Sequence, residues 1–123
     1  MWNPDREKVA RRKRFRKTCE QLIRRVLNAT GGKKADRSAA LLGYTPEQLQ
    51  EHILSHPNMA FLQGKEWHVD HIFPIQAFLD HGIEDLQLIN ALDNLQPLEG
   101  SINIAKGDRY DVAEFQEWLT NHV

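Results

Sequence analysis

The feature that most constrains the fold is an apolar stripe near the start of the chain. Its members lie mostly three and four positions apart, as on one face of an α-helix: Val9, Phe15, Cys19, Leu22, Ile23, Val26 and Leu27. Asn3 is placed to cap this helix, Pro4 suits its first turn, and Gly31-Gly32 ends it. The pattern predicts a helix of roughly 25 residues, about 37 Å long. Such a helix can bury its stripe against the rest of the chain and still present a charged face.

Charge divides the chain into a basic and an acidic part. Residues 1–43 contain 13 Lys/Arg and 4 Asp/Glu, whereas residues 44–123 contain 3 Lys/Arg and 13 Asp/Glu. Much of the surface of the first helix outside its stripe is basic, including Arg12, Arg14, Arg16 and Lys17. Charge alone leaves two interpretations open: a surface that binds a polyanion, or a solvated basic helix that pairs with an acidic body.

Length and composition indicate one compact domain. The chain has 123 residues, of which 41% are hydrophobic and 27% charged, close to an ordinary globular protein. No apolar run approaches the length of a membrane span, and the N-terminus lacks the apolar region of a secretory signal. We therefore expect a cytoplasmic protein without a membrane partner. The single cysteine, Cys19, cannot form an internal disulfide or a cysteine-based zinc site.

Helical signals continue as far as about residue 57. Thr45 and Gln48 have the spacing of a capping box, with Pro46 in the first turn. They predict a short helix over about residues 45–55, closed by Pro57.

The second half of the chain alternates strand and helix signals. Residues 67–75 are rich in β-branched and aromatic side chains and predict a strand, and residues 95–98 predict a second one. One or two short helices are expected between them. Ser101 is placed to cap a helix that runs to about Lys106. A last amphipathic helix is expected over residues 111–122, with four inward side chains: Val112, Phe115, Trp118 and Leu119.

The first of these strands carries an adjacent Asp70 and His71. A carboxylate is a suitable ligand for a hard divalent cation, and a neutral histidine is a suitable base for activating water. Neighbours on an extended chain point to opposite faces, so a metal and a base could flank a phosphate between them. Taken alone, an Asp-His pair fits an ordinary hydrogen-bonded pair better than a catalytic site.

Two further segments make the pattern more specific. Asn94-Leu95-Gln96-Pro97-Leu98 opens the second strand, and Asn103 follows, with Lys106-Gly107-Asp108-Arg109 behind it. Together with Asp70-His71, these segments resemble the HNH endonucleases over about residues 64–110. The upstream segment Leu42-Gly43-Tyr44-Thr45 is more loosely similar to phage and mobile-element members of that family.

The resemblance implies an α+β fold built on a small ββα-metal core. That core would occupy residues 63–110, after a basic helical region over residues 1–62. A C-terminal helix over residues 111–123 would pack on it, so that the whole chain forms one compact domain.

The same resemblance implies a role for each motif residue. Asp70 and Asn103 would hold a metal ion, His71 would be the general base, and Asn94 would fix the hairpin and orient His71. The family often has histidine where this chain has Asn103, which makes it an HNN variant. Two oxygen donors favour Mg²⁺ or Mn²⁺.

Phosphate contacts are expected from Lys106 and Arg109, and from the basic first helix through Arg12, Arg14, Arg16 and Lys17. His68, two residues before Asp70, could support the phosphate or simply lie at the surface. The other histidines, His52, His56, His81 and His122, are expected at the surface.

The function that these assignments imply is metal-dependent cleavage of duplex or branched DNA. Two alternatives stay open. One is a DNA-binding module whose metal site is inactive or structural. The other is a nuclease that cleaves RNA, because the chemistry at the phosphate does not depend on the sugar.

Overall fold

A computed structural model describes residues 4–32 and 38–122. The long N-terminal helix predicted from the apolar stripe is present as α1, Pro4–Thr30. Five stripe residues are at most 2% exposed: Phe15, Cys19, Leu22, Ile23 and Val26. Residues 4–14 are exposed throughout, so Val9 is not part of the core. The proposed cap Asn3 and residues 33–37 of the basic connection lie outside the described residues.

Two helices follow α1. The shorter, α2, spans Ser38–Leu42 and was not predicted, because five residues are too few to show a helical period. The next, α3, spans Pro46–Leu54 and begins with the predicted capping box. The Gln48 amide N–H donates to Thr45 Oγ1 at 3.2 Å, and the Thr45 amide N–H donates to Gln48 Oε1 at 2.8 Å. The helix ends at Leu54, with Ser55 at its C-terminal cap, and Pro57 begins a separate 3₁₀ turn, Pro57–Phe61.

Two strands form a small antiparallel sheet. They are β1, Trp67–His71, and β2, Leu95–Glu99, with His71 opposite Leu95 and Trp67 opposite Glu99. Between them lie α4, Ile75–Asp80, and α5, Leu86–Ile89, followed by a 3₁₀ turn, Leu92–Asn94. The first strand is shorter than predicted. Beyond His71 the chain bonds to Asn94 instead of continuing the sheet.

The last two helices are α6, Gly100–Lys106, and α7, Val112–His122. Glu99, and not Ser101, occupies the cap position of α6, and the Ser101 hydroxyl donates to the Glu99 carboxylate at 3.0 Å. Helix α6 starts where β2 ends. The sheet elements therefore follow in the order β1, β2 and α6, with α4 and α5 inserted between the two strands.

Two clusters of buried side chains hold these elements together. The first joins α1, α3 and both strands through residues such as Leu22, Leu49, Val69 and Leu95. The second surrounds Phe78 and Phe115, whose rings meet edge to face at 4.8 Å. In α7, Phe115 is buried and Trp118 and Leu119 are half-buried, whereas Val112, which we expected inside, is 50% exposed.

The protein is therefore a small α+β fold in which the N-terminal helices and the strands share a core. Among the described residues no helix is both long and apolar enough to cross a lipid bilayer.

Candidate functional site

Four of the residues predicted to act together line one depression of about 280 Å³, whereas Asn94 lies outside its lining. Asp70 and His71 end β1, and Asn103 and Lys106 come from α6. Helix α6 begins at the Trp67 end of the sheet and returns toward His71, where Lys106 Nζ donates to the His71 carbonyl oxygen at 2.8 Å. Arg25 of α1 and Asp108 also line the depression. The fold thus brings the adjacent pair Asp70 and His71 together with Asn103, which lies more than thirty positions later in the chain.

The His71 side chain is buried and is held by Asn90. The residue is 6% exposed, and its Nε2 lies 2.7 Å from Asn90 Oδ1. An amide oxygen can only accept a hydrogen bond, so Nε2 carries the proton and the lone pair is on Nδ1. No side chain or backbone group in residues 4–32 and 38–122 donates to Nδ1. This tautomer leaves His71 able to accept a proton at Nδ1.

Burial also favours the neutral form of His71. Desolvation lowers its pKa below the usual 6.5, and the positive charges of Arg25 and Lys106 act in the same direction. The hydrogen bond to Asn90 and the charge of Asp70 oppose this shift without reversing it. At neutral pH His71 is therefore an unprotonated base.

Asn94 fixes the hairpin but does not contact the imidazole. Its Oδ1 accepts from the Phe73 amide N–H at 2.8 Å, and its Nδ2 donates to the carbonyl oxygens of Phe73 and Ile89 at 3.1 and 2.9 Å. These three bonds to the backbone use both donors of its amide and one lone pair of its oxygen. The expectation that Asn94 orients His71 directly is wrong, because the ring nitrogen is held by Asn90.

Asp70 is 7% exposed and is held across the sheet. Gln96, its partner in the strand register, donates from Nε2 to Asp70 Oδ2 at 2.9 Å. Lys106 Nζ lies 3.4 Å from the same oxygen. Gln96 is itself positioned by Asn58, which donates to Gln96 Oε1 at 3.2 Å. In the described part of the chain, Oδ1 is the carboxylate oxygen without a hydrogen bond.

The donors in the depression suit a hard divalent cation. The Asp70 carboxylate and the Asn103 amide offer oxygen, the ligand that Mg²⁺ and Mn²⁺ prefer. Within residues 4–32 and 38–122, no three His, Cys, Asp or Glu side chains converge into a larger ligand set. A cation here would have two protein ligands and would complete its shell with water and phosphate oxygens, as Mg²⁺ commonly does.

The seven side chains predicted to contact phosphate lie in different places. Lys106 is at the depression, held between Asp70 and the His71 carbonyl. Arg109 folds back on the end of α6, where its guanidinium donates to the carbonyl oxygens of Lys106 and Ala105. It is therefore committed to capping a helix, a local interaction that its place in the motif did not reveal.

A second, larger groove of about 440 Å³ runs between α1 and β1. Arg14, Lys17 and His68 line this groove. Helical periodicity places Arg12 and Arg16 on the opposite face of α1, where both are exposed. His68 packs beside Gly100 and lies in this groove rather than in the depression.

Two histidines that we expected at the surface are half-buried. His52 Nε2 lies 2.8 Å from the carbonyl oxygen of Leu95, and His56 Nδ1 accepts from the Asn58 amide N–H at 3.1 Å. They brace the start of β2 and the turn before β1. His81 and His122 are exposed, as expected.

The site also contains residues that the motif did not single out: Asn90, Gln96 and Arg25. Gln96 becomes identifiable once the strand register is known, because it lies directly opposite Asp70. Arg25 belongs to α1 and Asn90 directly follows α5, so both reach the site only through the tertiary fold.

Comparison with protein families, with curated proteins and with solved structures found no match to this chain.

Proposed function

We propose that the protein is a metal-dependent DNA endonuclease of the HNH type, with a ββα-metal core formed by β1, β2 and α6. The observation that carries the proposal is the state of His71. It is buried, neutral and fixed through Nε2 by Asn90, and it shares one depression with Asp70 and Asn103. Dedicated bases have this arrangement, whereas a module that only binds DNA does not require it.

In this proposal the chain supplies a general base and the ligands for a metal ion that binds the phosphate. His71 Nδ1 takes a proton from the water that attacks phosphorus, while the bond from Nε2 to Asn90 keeps the ring in the required tautomer. Asp70 and Asn103 would hold Mg²⁺ or Mn²⁺, which supplies charge stabilisation at the phosphate and the leaving oxygen. Gln96 keeps the Asp70 carboxylate in place before substrate arrives.

Positive side chains around the depression favour an anionic substrate. Arg25 and Lys106 both line it, and Lys106 is fixed by Asp70 and by the His71 carbonyl. Their charges would attract a phosphodiester and also help to keep His71 unprotonated.

The proposal is tested by incubating supercoiled plasmid with the purified protein in Mg²⁺, in Mn²⁺ and in a chelator. We expect nicking in either metal and none in the chelator. Asp70→Asn keeps the shape of the side chain but removes the charge that attracts a cation, and it should lose most of this activity. Asp111→Asn is the matched control, because asparagine can still accept the Glu114 N–H bond that Asp111 accepts at the start of α7. Equal cleavage in chelator and metal, or full activity of Asp70→Asn, would contradict the proposal.

A further inference from the structure

The groove between α1 and β1 has its own pattern of charge. Arg14, Lys17 and Arg25 line it from one face of α1, and Lys65 lines it from the segment before β1. Arg25 also lines the depression that contains Asp70 and His71. The groove therefore leads directly to the candidate catalytic site.

The cations of this groove differ in how far they are already paired. Arg14 donates to the Trp67 carbonyl oxygen at 3.1 Å, and Lys65 lies 3.8 Å from a carboxylate oxygen of Glu99. Within the described residues, Lys17 and Arg25 have no ion-pair partner. These two are the cations most available to an incoming anion.

The tryptophan side chain in the groove is covered. The Arg14 guanidinium lies 3.9 Å from the centre of the Trp67 ring, and Phe15 packs against the same residue at 6.5 Å between ring centroids. Proteins that bind single strands commonly stack bases on open aromatic rings. Among the described residues that line the groove, cations are available but no tryptophan, tyrosine or phenylalanine ring lies open to a base.

We infer that this groove binds backbone phosphates of duplex DNA beside the phosphate that is cleaved. The inference rests on the proposed nuclease function and adds to it the location and the kind of contact. Phosphate contacts position DNA without reading its sequence. This groove would therefore hold the substrate in place regardless of its base sequence. Arg25, at the junction of groove and depression, would contact the phosphate nearest the site.

The test compares two double variants that remove equal charge from α1. Lys17→Gln with Arg25→Gln alters the groove, whereas Arg12→Gln with Arg16→Gln alters the opposite face. Binding of a short DNA duplex is measured by fluorescence anisotropy over a range of salt concentrations, in chelator so that no cleavage occurs. Each phosphate neutralised contributes about 0.9 to the slope of log affinity against log salt. The groove variant should therefore flatten the slope by about 1.8, and the control should leave it unchanged.

Equal flattening by both variants would overturn the inference, because binding would then depend on the total charge of α1. An unchanged slope in the groove variant would overturn it as well. A single strand of the same length should bind more weakly than the duplex, and tighter binding of the single strand would refute the assignment to duplex. The same measurements are made with an RNA duplex. If the groove variant flattens the salt slope equally for RNA and the native protein binds RNA more tightly than DNA, the assignment to DNA is refuted.

These outcomes are separate from the nuclease proposal. If the groove variant flattens the salt slope but the native protein cuts no plasmid in Mg²⁺ or Mn²⁺, only the nuclease function is refuted. If the native protein cuts plasmid in a metal-dependent way but the salt slope of the groove variant is unchanged, only the inference about the groove is refuted.

Discussion

Replacing Asn90 with aspartate tests whether this residue controls the protonation of His71. The substitution keeps the shape of the side chain and an oxygen acceptor 2.7 Å from Nε2, but it places a negative charge there. An opposite charge at such a distance shifts a pKa by about 1–3 units toward the charged form. The pKa of His71, which burial holds below 6.5 in the native protein, should rise by that amount.

The consequence is a displaced pH dependence of cleavage. A general base acts in its unprotonated form, so native activity should fall only as the pH drops below 6.5 and should be level at neutral pH. In Asn90→Asp the acidic limb should move up by about 1–3 pH units, and activity should recover under alkaline conditions. Single-turnover cleavage measured across pH gives both profiles.

Asn90→Leu separates this electrostatic effect from simple loss of support. It removes the acceptor without adding charge, and losing the partner of a buried donor typically costs about 1–3 kcal/mol of stability. Its activity should be low at every pH, with no upward displacement of the acidic limb. An acidic limb in Asn90→Asp that coincides with the native one would refute the role of Asn90.

Three further predictions concern the metal, acid stability and the core. Asn103→His should shift plasmid cleavage toward Ni²⁺ and Co²⁺, because imidazole is a better ligand for these ions than for Mg²⁺. Asn103→Ala should lower activity with every ion. Normal cleavage by Asn103→Ala in Mg²⁺ would exclude Asn103 as a ligand. Because the pKa of His71 is lowered on folding, the unfolded chain takes up a proton at a higher pH than the folded protein does. Stability to urea should therefore fall as the pH drops below 6.5, and it should fall less in His71→Gln. Equal pH dependences of stability in the two proteins would contradict this. Phe115→Ala should cost about 3–5 kcal/mol in urea unfolding, since its ring is fully buried against Phe78. Val112→Ala on the exposed side of the same helix should change stability by about 0.5 kcal/mol or less, and similar losses in the two variants would refute the packing described for α7.

The sequence predicted best those features that depend on local spacing. Thr45 and Gln48 are three positions apart, and their mutual capping bonds form as the spacing implies. Five of the seven stripe residues of α1 are likewise buried, as the helical period alone predicts, whereas Val9 is exposed. Where competing local partners exist, the prediction was wrong: Ser101 bonds to Glu99 instead of capping α6.

Features that depend on the tertiary fold could be predicted only in part. The motif places Asp70, His71 and Asn103 in one site, but it does not say which neighbour holds each of them. Asn90 reaches His71 from the end of α5, and Gln96 reaches Asp70 only because of the strand register. The division of the basic residues of α1 between the groove and the opposite face depends on how that helix packs against β1.

The most direct test of the central claim is cleavage and binding by His71→Ala, measured side by side. A base is lost and no metal ligand is removed, so DNA affinity should stay near the native value while cleavage in Mg²⁺ falls by about 10²–10⁴-fold. His81→Ala, which alters an exposed histidine outside the depression, should cut at the native rate. Near-native cleavage by His71→Ala would contradict the assignment of His71 as the base.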